Sequence, residues 1–357
     1  AVNDQGGLVL LSQVGQFLTL SQGDLSLAPQ LATKWEPNAD STEWTFSLDP
    51  NAKFSDGSPV TAADVVATIE RLVDPKNKSN ALSAFNTGFL APGGTTAVDD
   101  ATVKFTLTQA MGNFPYIVSS DNYNAIILPA SVKDTTKFGP DKIAGSGPWV
   151  IDSFDPVKGV TFVPNPNYWG PKPLVDKLEF QFFDDLNAQI TAFQGGQVDV
   201  IAQFSVQGGQ ALLTDANTNV IALRSAAHRQ VHMRTDKGIF ADKKLRQAMA
   251  IALNRPDIVQ SLFQGKSDLG NDSPFAPVFP STDPSVPQRA YDLEKAKQLV
   301  ADSGSKNLKV TLYTWNTQEI PDFAALIKKA AEPLGITIDL AIRDDYYDKY
   351  WLPGPGA

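Results

Sequence analysis

The sequence predicts a mixed α/β protein that is built from more than one domain. Its 357 residues exceed the usual length of a single domain. Runs in which apolar residues alternate with period two indicate strands, and runs with apolar residues at every third or fourth position indicate helices. Near the end, residues 308–342 give a strand, a helix and a strand in succession, and the two strands of such a unit are parallel.

Composition excludes several kinds of partner and of chemistry. The formal net charge of −9 argues against nucleic acid as the main partner, because phosphate binding requires clustered Lys and Arg. The absence of cysteine excludes disulfides, thiolate nucleophiles and Cys-ligated metal sites. No apolar run of about 18 residues occurs, so we expect no membrane-spanning segment. The chain begins at Ala1 without a charged and then apolar leader, which fits a mature exported protein or a cut piece.

The first part of the chain has two predicted strands with a helix between them. Residues 44–48 (WTFSL) and 103–107 (VKFTL) alternate with period two. Thr61 is a good N-cap for the helix, with Asp64 three residues on as its reciprocal partner, and Asp74-Pro75 ends it. Apolar residues at helical spacing form its buried face: Ala62, Val65, Val66, Ile69, Leu72 and Val73.

The remaining elements follow from the same patterns. In the middle of the chain we expect strands at 160–164, 177–183 and 198–202 and a helix at 186–194. In the last third we expect helices at 242–253, 256–265, 292–302 and 321–334 and strands at 308–314 and 336–342. A long Pro-rich loop at 271–287 separates the second and third of these helices, and loops of that length are usually functional.

Four segments carry a family resemblance. Residues 27–75 match the patterns P-x-L-A-x-x-W, W-T-F-x-L and K-F-x-D-G-x-P-x-T-A-x-D-V, which are followed by Asp-Pro. The loop GSGPW (145–149), NPNYWG (165–170) and the helical run FADKKLRQAMAIALNRPDIVQSLFQGKS (240–267) add to them, with Asn254 where Asp is usual. In these motifs the chain closely resembles the extracellular solute-binding proteins of peptide and nickel ABC importers (family 5).

The resemblance implies a two-lobed, periplasmic-binding-protein-like α/β fold with an extra subdomain. It implies a first part of lobe I at 1–43, the extra subdomain at 44–143, a second part of lobe I at 144–226, and the hinge crossing with lobe II at 227–357. Relatives of this kind extend further at both ends, so we expect the sequence to be incomplete there. The missing C-terminal portion would carry the acidic and basic residues that pair with the ends of a peptide.

The same resemblance implies a function in transport and no catalysis. Such a protein captures a small solute, above all a di- or oligopeptide, closes around a hinge, and delivers the solute to membrane permease subunits. It implies an exported, membrane-tethered bacterial lipoprotein that is monomeric, with no cofactor and no nucleic-acid partner. A non-peptide solute (an opine, an oligosaccharide or a metal chelate) and a secreted hydrolase remain as alternatives, because carboxylates are plentiful although none is singled out as a catalytic pair.

Residues 225–236 (SAAHRQVHMRTD) contain both histidines and align with the hinge-crossing strand of the family. Alternate side chains of a strand share one face, which predicts a polar ligand-binding face opposite Arg229, Val231 and Met233. That face would consist of His228, Gln230, His232 and Arg234. The alternative is a half-exposed strand face without a ligand. A shared metal is disfavoured, because the two histidines would lie about 13 Å apart along a strand.

Two candidate sites lie in the first half of the chain. Leu82 and Ser83 belong to a loop that aligns with a ligand-contacting loop of some relatives, and ordinary packing after the helix is the alternative. Ser146 and Gly147 lie in the Gly-rich loop. Backbone N–H groups of such loops bind anionic groups in other proteins, so we expect the same of this loop. A turn that crosses between lobes is the alternative for this loop. Residues 119–127 are predicted to be a polar loop that enters a buried segment.

Two further candidate sites lie in the second half. Phe204 and Ser205 follow the predicted strand at 198–202 and are expected to face the ligand-binding cleft between the two lobes. Trp315 and Asn316 follow the strand at 308–314 directly, and ligands of parallel sheets gather beyond the carboxyl ends of the strands. An aromatic side chain and an amide together are typical of small-ligand sites, although tryptophan more often belongs to the core.

Overall fold

The computed structural model describes residues 5–77, 79, 81–86, 89–90, 92–132, 144–222, 227–273, 282–346 and 349–350. It divides the chain into two compact units, Ala1–Phe182 and Phe183–Ala357. Both units contain helices and strands, so the predicted mixed α/β class is confirmed. The finer division into lobes and an extra subdomain stays a prediction. Within the described ranges, the helices are too short or too polar to cross a bilayer.

The first unit is mainly antiparallel. Its helices are α1 (Gln5–Val14), α2 (Ala62–Val73), α3 (Leu82–Asn86) and α4 (Phe114–Ile117). Its strands are β1 (Thr19–Ser21), β2 (Leu27–Pro29), β3 (Ala32–Pro37), β4 (Glu43–Leu48), β5 (Thr95–Asp99), β6 (Thr102–Thr106), β7 (Trp149–Asp155), β8 (Gly159–Pro164) and β9 (Leu178–Gln181). The strands form antiparallel sheets with the orders β1-β2, β3-β4-β6-β5 and β7-β8-β9.

The two strands predicted on either side of the first helix are confirmed as neighbours. Strands β4 and β6 pair antiparallel, with Trp44 opposite Phe105. Their inward side chains Phe46 and Phe105 are fully buried, and the two rings meet edge to face at 5.3 Å. Phe114 of α4 packs on Phe105 at 4.9 Å. Large buried rings contribute much of the energy of a core, so these aromatic contacts hold α4 against the four-stranded sheet.

Helix α2 has the predicted ends, and four of the six residues of its predicted face are buried, whereas Val66 and Leu72 are half-buried. It begins after Thr61 and its C-cap is Asp74. Asp64 is only 8% exposed, and one of its carboxylate oxygens accepts hydrogen bonds from the backbone N–H and the hydroxyl of Thr61, both at 2.8 Å. The other oxygen accepts from the backbone N–H of Ala130, also at 2.8 Å. A buried carboxylate is tolerated here because both oxygens are hydrogen-bonded.

We expect Asp64→Asn to lower the free energy of unfolding by about 1 to 2 kcal/mol. The amide NH₂ of Asn would take the place of one carboxylate oxygen, and it cannot accept the hydrogen bond that a backbone N–H donates to that oxygen in the wild type. Urea unfolding followed by circular dichroism measures the change. The matched control is Asp152→Asn, since Asp152 is exposed in the same unit. Equal midpoints for the two variants would show that Asp64 does not stabilise the start of α2.

The second unit contains a parallel strand pair with helices around it. Its helices are α5 (Leu186–Gln194), α6 (Gln210–Leu213), α7 (Lys243–Ala252), α8 (Arg255–Phe263), α9 (Leu293–Ser303) and α10 (Ile320–Ala331), and its strands are β10 (Lys309–Thr314) and β11 (Thr337–Ile342). The strands pair in parallel from Lys309 opposite Thr337 to Thr314 opposite Ile342. The predicted strand–helix–strand unit is therefore confirmed. The core contains Leu245 and Met249 of α7 and Ile327 of α10.

Two predicted strands of the second unit are wrong. Residues 198–202 do not form a strand, and the side chain of Val200 is 76% exposed. Residues 227–236, the described part of the predicted hinge-crossing strand, pair with none of the described strands. An alternating run of strand-forming residues becomes a strand only where a neighbouring strand supplies hydrogen bonds and packing, so pattern alone overpredicted both.

Candidate functional site

A cavity of about 240 Å³ opens in the first unit between two segments that are distant in sequence. One part of it is lined by Ala81, which directly precedes α3, and by Ala84, which lies within α3. Tyr116 and Ile117 of α4, together with residues 121–124 of the loop that follows, line the rest. The lining mixes apolar surface with a few polar groups, which is the usual composition of a small-molecule site.

Hydrogen bonds hold the polar part of the cavity in place. Two backbone turns fix the loop: Asn122 N–H donates to Ser119 O at 3.1 Å, and Ala125 N–H donates to Asn122 O at 2.7 Å. The side-chain amide of Asn122 donates to Ile117 O at 2.8 Å, which ties the loop back to α4. A wall that is fixed before binding loses less conformational entropy when a ligand binds.

The loop also enters the core as the sequence predicts. Ala125, Ile126 and Ile127 are almost entirely buried, whereas Asp121 is exposed at the cavity. The buried residues anchor the loop, and the polar residues just before them are thereby presented to the cavity.

Leu82 and Ser83 lie beside this cavity. Leu82 is half-buried in α3, between the two alanines of the lining. The backbone of Ser83 belongs to the same helix, but its side chain lies outside the described residues. The loop that resembles a ligand-contacting loop of the family therefore borders the cavity through its alanines, and both candidate residues stay predictions.

Ser146 and Gly147 lie in the interior of the first unit. Ser146 is fully buried, and the backbone N–H of Gly147 donates to Val14 O at 2.9 Å at the end of α1. The carbonyl oxygen of Gly147 accepts from the side-chain amide of Asn165 at 2.8 Å. The backbone donor of Gly147 is therefore already used within the first unit, which fits a turn, and contact of Ser146 and Gly147 with a ligand stays a prediction.

Residues 227–234 show the predicted alternation of faces although they do not form a strand. Val231 and Met233 pack against the core of the second unit, whereas the four polar candidates are exposed. His228 Nε2 lies 3.1 Å from Gln230 Oε1, so these two side chains lie on the same side. The exposed polar face exists as predicted, and its contact with a ligand stays a prediction.

Arg234 makes a bidentate ion pair close to its own position in the chain. Its Nε and Nη2 donate to the two carboxylate oxygens of Asp236 at 2.8 and 2.7 Å. The hydrogen bonds from Arg234 lower the pKa of Asp236 to about 2. A ligand carboxylate would have to compete with Asp236 for the guanidinium group.

Arg229 joins this segment to the loop after β10. Its Nε donates to Glu319 Oε1 at 2.6 Å, and its Nη2 donates to Gln318 Oε1 at 2.9 Å. Glu319 is only 5% exposed, so the guanidinium neutralises a buried carboxylate. The sequence placed Arg229 on the face away from the ligand, and nothing in its pattern indicated Glu319 as the partner.

The loop after β10 begins with the predicted pair Trp315 and Asn316. Trp315 is half-buried and its ring stacks on Tyr346, with centroids 4.7 Å apart. Asn316 is exposed. The pair therefore lies directly beyond the carboxyl end of a parallel strand, as predicted, and the same loop carries the partner of Arg229.

Phe204 and Ser205 belong to a turn. The hydroxyl of Ser205 accepts from the backbone N–H of Gly208 at 3.1 Å, and Ser205 O accepts from Gly209 N–H at 2.8 Å. The ring of Phe204 lies so close to Gly209 that a Cβ there would fall 1.9 Å from it. Both residues are half-buried in the segment just before α6, and their contact with a ligand stays a prediction.

Sequence reasoning missed most of the cavity. Tyr116 was not singled out, and the polar residues 121–124 were expected only to lead into a buried segment. A usable signal was present, since two aromatic residues, an Asp and two Asn occur within nine positions. The fold brings these residues close to Ala81 and Ala84 at α3, and no local sequence pattern shows that the two segments meet. Among the described residues, no group of three or more His, Asp or Glu could hold a metal ion.

The family model for bacterial extracellular solute-binding proteins, family 5 (Middle), matches residues 26–353. The chain belongs to this family. The resemblance carried by the four sequence segments is therefore confirmed across most of the chain.

Relatives of this family 5 protein are named for different ligands. A probable D,D-dipeptide-binding periplasmic protein of Escherichia coli (strain K12), DdpA, is 28% identical over 325 residues, covering 89% of this chain and 61% of the relative. Heme-binding protein A of Haemophilus influenzae is 25% identical over 312 residues, covering 82% of this chain and 56% of the relative. The chain thus spans about three fifths of the length of these relatives.

Solved structures support the fold. The periplasmic binding protein DppA of Helicobacter pylori, in complex with the peptide STSA, superposes with a TM-score of 0.77 at 22% identity. The superposition covers 96% of this chain and 70% of that one. This likeness confirms the periplasmic-binding-protein type of α/β fold for the family 5 protein.

Proposed function

We propose that this protein is the solute-capturing component of an ABC importer, that it works outside the cytoplasm, and that it takes up a di- or oligopeptide. The observation that carries the proposal is the family 5 match over residues 26–353. The ligand is held without chemical change and passed to permease subunits in the membrane. Export and a monomeric state are parts of the same proposal.

The peptide as ligand is supported by one relative and by the cavity. The relative with the D,D-dipeptide-binding name aligns with 89% of this chain. The cavity of about 240 Å³ is large enough for a part of a small peptide, and its tyrosines and amides suit a ligand with both apolar and polar groups. Hydrolysis has no comparable support, since the relatives described above are named as binding proteins.

A non-peptide solute is the second candidate, because heme-binding protein A is also a relative. The two candidates differ in what they require of the first unit. Heme is a large planar ring system and would need an apolar slot, whereas the cavity presents Asp, Asn and Tyr side chains. This mixture of groups favours the peptide.

The experiment is a binding screen by thermal unfolding and calorimetry with dipeptides, tripeptides, heme and nickel–histidine. We expect a peptide to raise the unfolding temperature, because a ligand at about 100 times its dissociation constant stabilises the folded state by about 2.7 kcal/mol. Mass spectrometry after prolonged incubation should recover the peptide intact. Peptide cleavage, or binding of heme or the nickel chelate while every peptide fails, would contradict the proposal.

A pair of matched variants locates the ligand. Tyr123→Ala removes a ring from the cavity lining and should weaken peptide binding about tenfold, because a buried aromatic contact is typical of binding hot spots. Tyr291→Ala removes an exposed ring in the other unit and should leave the affinity unchanged. Equal affinities for both variants would move the ligand away from the cavity.

A further inference from the structure

We propose that the cavity of the first unit takes a positively charged group of the solute, an ammonium or a guanidinium, and that Asp121 is the residue that selects it. The inference rests on the proposed function, because it names the chemical class of the part of the solute that this cavity holds. It follows from the charge, the hydrogen-bonding groups and the rings of the lining.

The first step is the charge of the lining. Asp121 carries the only formal charge among the described residues that line the cavity. Its side chain is exposed at the cavity, and its backbone N–H is engaged with Ser119 Oγ at 3.1 Å. An anion placed beside this carboxylate would be repelled, whereas a cation would be attracted. The formal net charge of −9 for the whole chain also attracts cations and repels anions.

The second step is the direction of the hydrogen bonds. The amide NH₂ of Asn122 donates to Ile117 O, which leaves its carbonyl oxygen as the acceptor on offer. The hydroxyl of Tyr116 donates to Leu25 O at 2.6 Å, so that donor is used as well. The Asp121 carboxylate adds two oxygens that only accept hydrogen bonds. Ammonium and guanidinium groups consist entirely of donors and therefore match it.

The third step is the aromatic surface. Tyr116 and Tyr123 both contribute to the lining, close in sequence to Asp121. The hydroxyl hydrogen of Tyr116 is already donated to Leu25 O, so the ring is the part of this residue that a cation would contact. Cations bind to tyrosine rings, and guanidinium stacks on them especially well. A carboxylate and two tyrosines in the same lining are thus a combination that favours a cation over a neutral group of the same shape.

The experiment uses three small probes of matched size on the whole protein: butylguanidinium, butylammonium and the neutral butylurea. Binding is followed by the NMR shifts of the side-chain amides of Asn122 and Asn124, which line the cavity. We expect one or both cations to bind with dissociation constants on the order of 1–10 mM, and butylurea at least fivefold more weakly. The ratio of the two cations distinguishes guanidinium from ammonium as the preferred group.

Asp121→Asn should abolish this preference, so that the cations and butylurea bind alike. Asp176→Asn, an exposed carboxylate of the same unit, should keep the wild-type preference. The inference is overturned if butylurea binds the wild type as well as the cations do, if none of the probes shifts the two amides, or if Asp121→Asn keeps the preference.

The outcome is independent of the peptide screen. Loss of all peptide binding together with a retained preference for the cations would contradict the peptide as solute and support Asp121 as the selecting residue. Peptide binding without any discrimination between the cations and butylurea would leave the solute class intact and overturn the role of Asp121.

Discussion

Gly145→Ala should lower the free energy of unfolding by about 3 kcal/mol, because overpacking against rigid backbone costs about 1–3 kcal/mol or more. A Cβ at Gly145 would lie 1.8 Å from the carbonyl oxygen of Val14. That oxygen accepts the hydrogen bond from Gly147 N–H, and Gly145 O itself accepts from Ser55 N–H at 2.8 Å. The backbone can move away from the new methyl group only by breaking these contacts. Urea unfolding of the purified variant measures the loss.

Gly23→Ala is the control for this substitution. A Cβ at Gly23 meets nothing within 4 Å in the same unit, so the same chemical change should be close to neutral there. If Gly145→Ala and Gly23→Ala unfold at the same urea concentration, the close approach of the Gly-rich loop to α1 does not contribute to stability.

The behaviour of this loop explains why part of the site could not be predicted. Glycines suit both an anion-binding loop and a tight packing contact, since both need backbone without a side chain. The sequence cannot separate the two, because the deciding group, Val14 O, lies more than 130 positions away. The structure shows the packing contact, which uses the backbone donor of Gly147, and anion binding by this loop stays a prediction.

Elements with local signals were predicted well. Helix α2 carries its own N-cap, acidic partner and stop, and the strand–helix–strand unit around α10 carries its own periodicity, so the bounds of both could be predicted within three residues. Residues 198–202 and 227–234 show strand patterns of the same kind and are not strands. A strand depends on its neighbour, and the neighbour does not appear in the local sequence.

The cavity illustrates the same limit. Its two walls, around α3 and at 116–124, are separated by about thirty residues that include β5 and β6. The first wall could be predicted, because the segment around Leu82 and Ser83 resembles a ligand-contacting loop of the family. The second wall depends on the position that the chain reaches after the antiparallel strands β5 and β6. Asp121 looks like an ordinary surface residue until its neighbours are known.

Arg229→Met should destabilise the second unit by about 3 kcal/mol. Removing one partner of a buried ion pair costs about 3–5 kcal/mol, and the lower end applies because the Arg229 side chain is 34% exposed. The substitution keeps an unbranched side chain and leaves the carboxylate of Glu319, 5% exposed, without its guanidinium partner. Adding Glu319→Gln should restore more than half of the loss, because the buried charge is then gone.

Arg234→Met is the matched control, since it removes the same kind of side chain from the same segment. Its partner Asp236 is 59% exposed, and exposed ion pairs contribute about 0–1 kcal/mol. Urea unfolding of the three variants therefore ranks a buried pair against an exposed one within five residues of chain. Equal losses for Arg229→Met and Arg234→Met would show that Glu319 is not what holds residues 227–234 against the loop after β10. A clear difference would mean that the exposed polar face at 228–234 owes its position to Arg229, so that any ligand contact there depends on a residue pointing away from it.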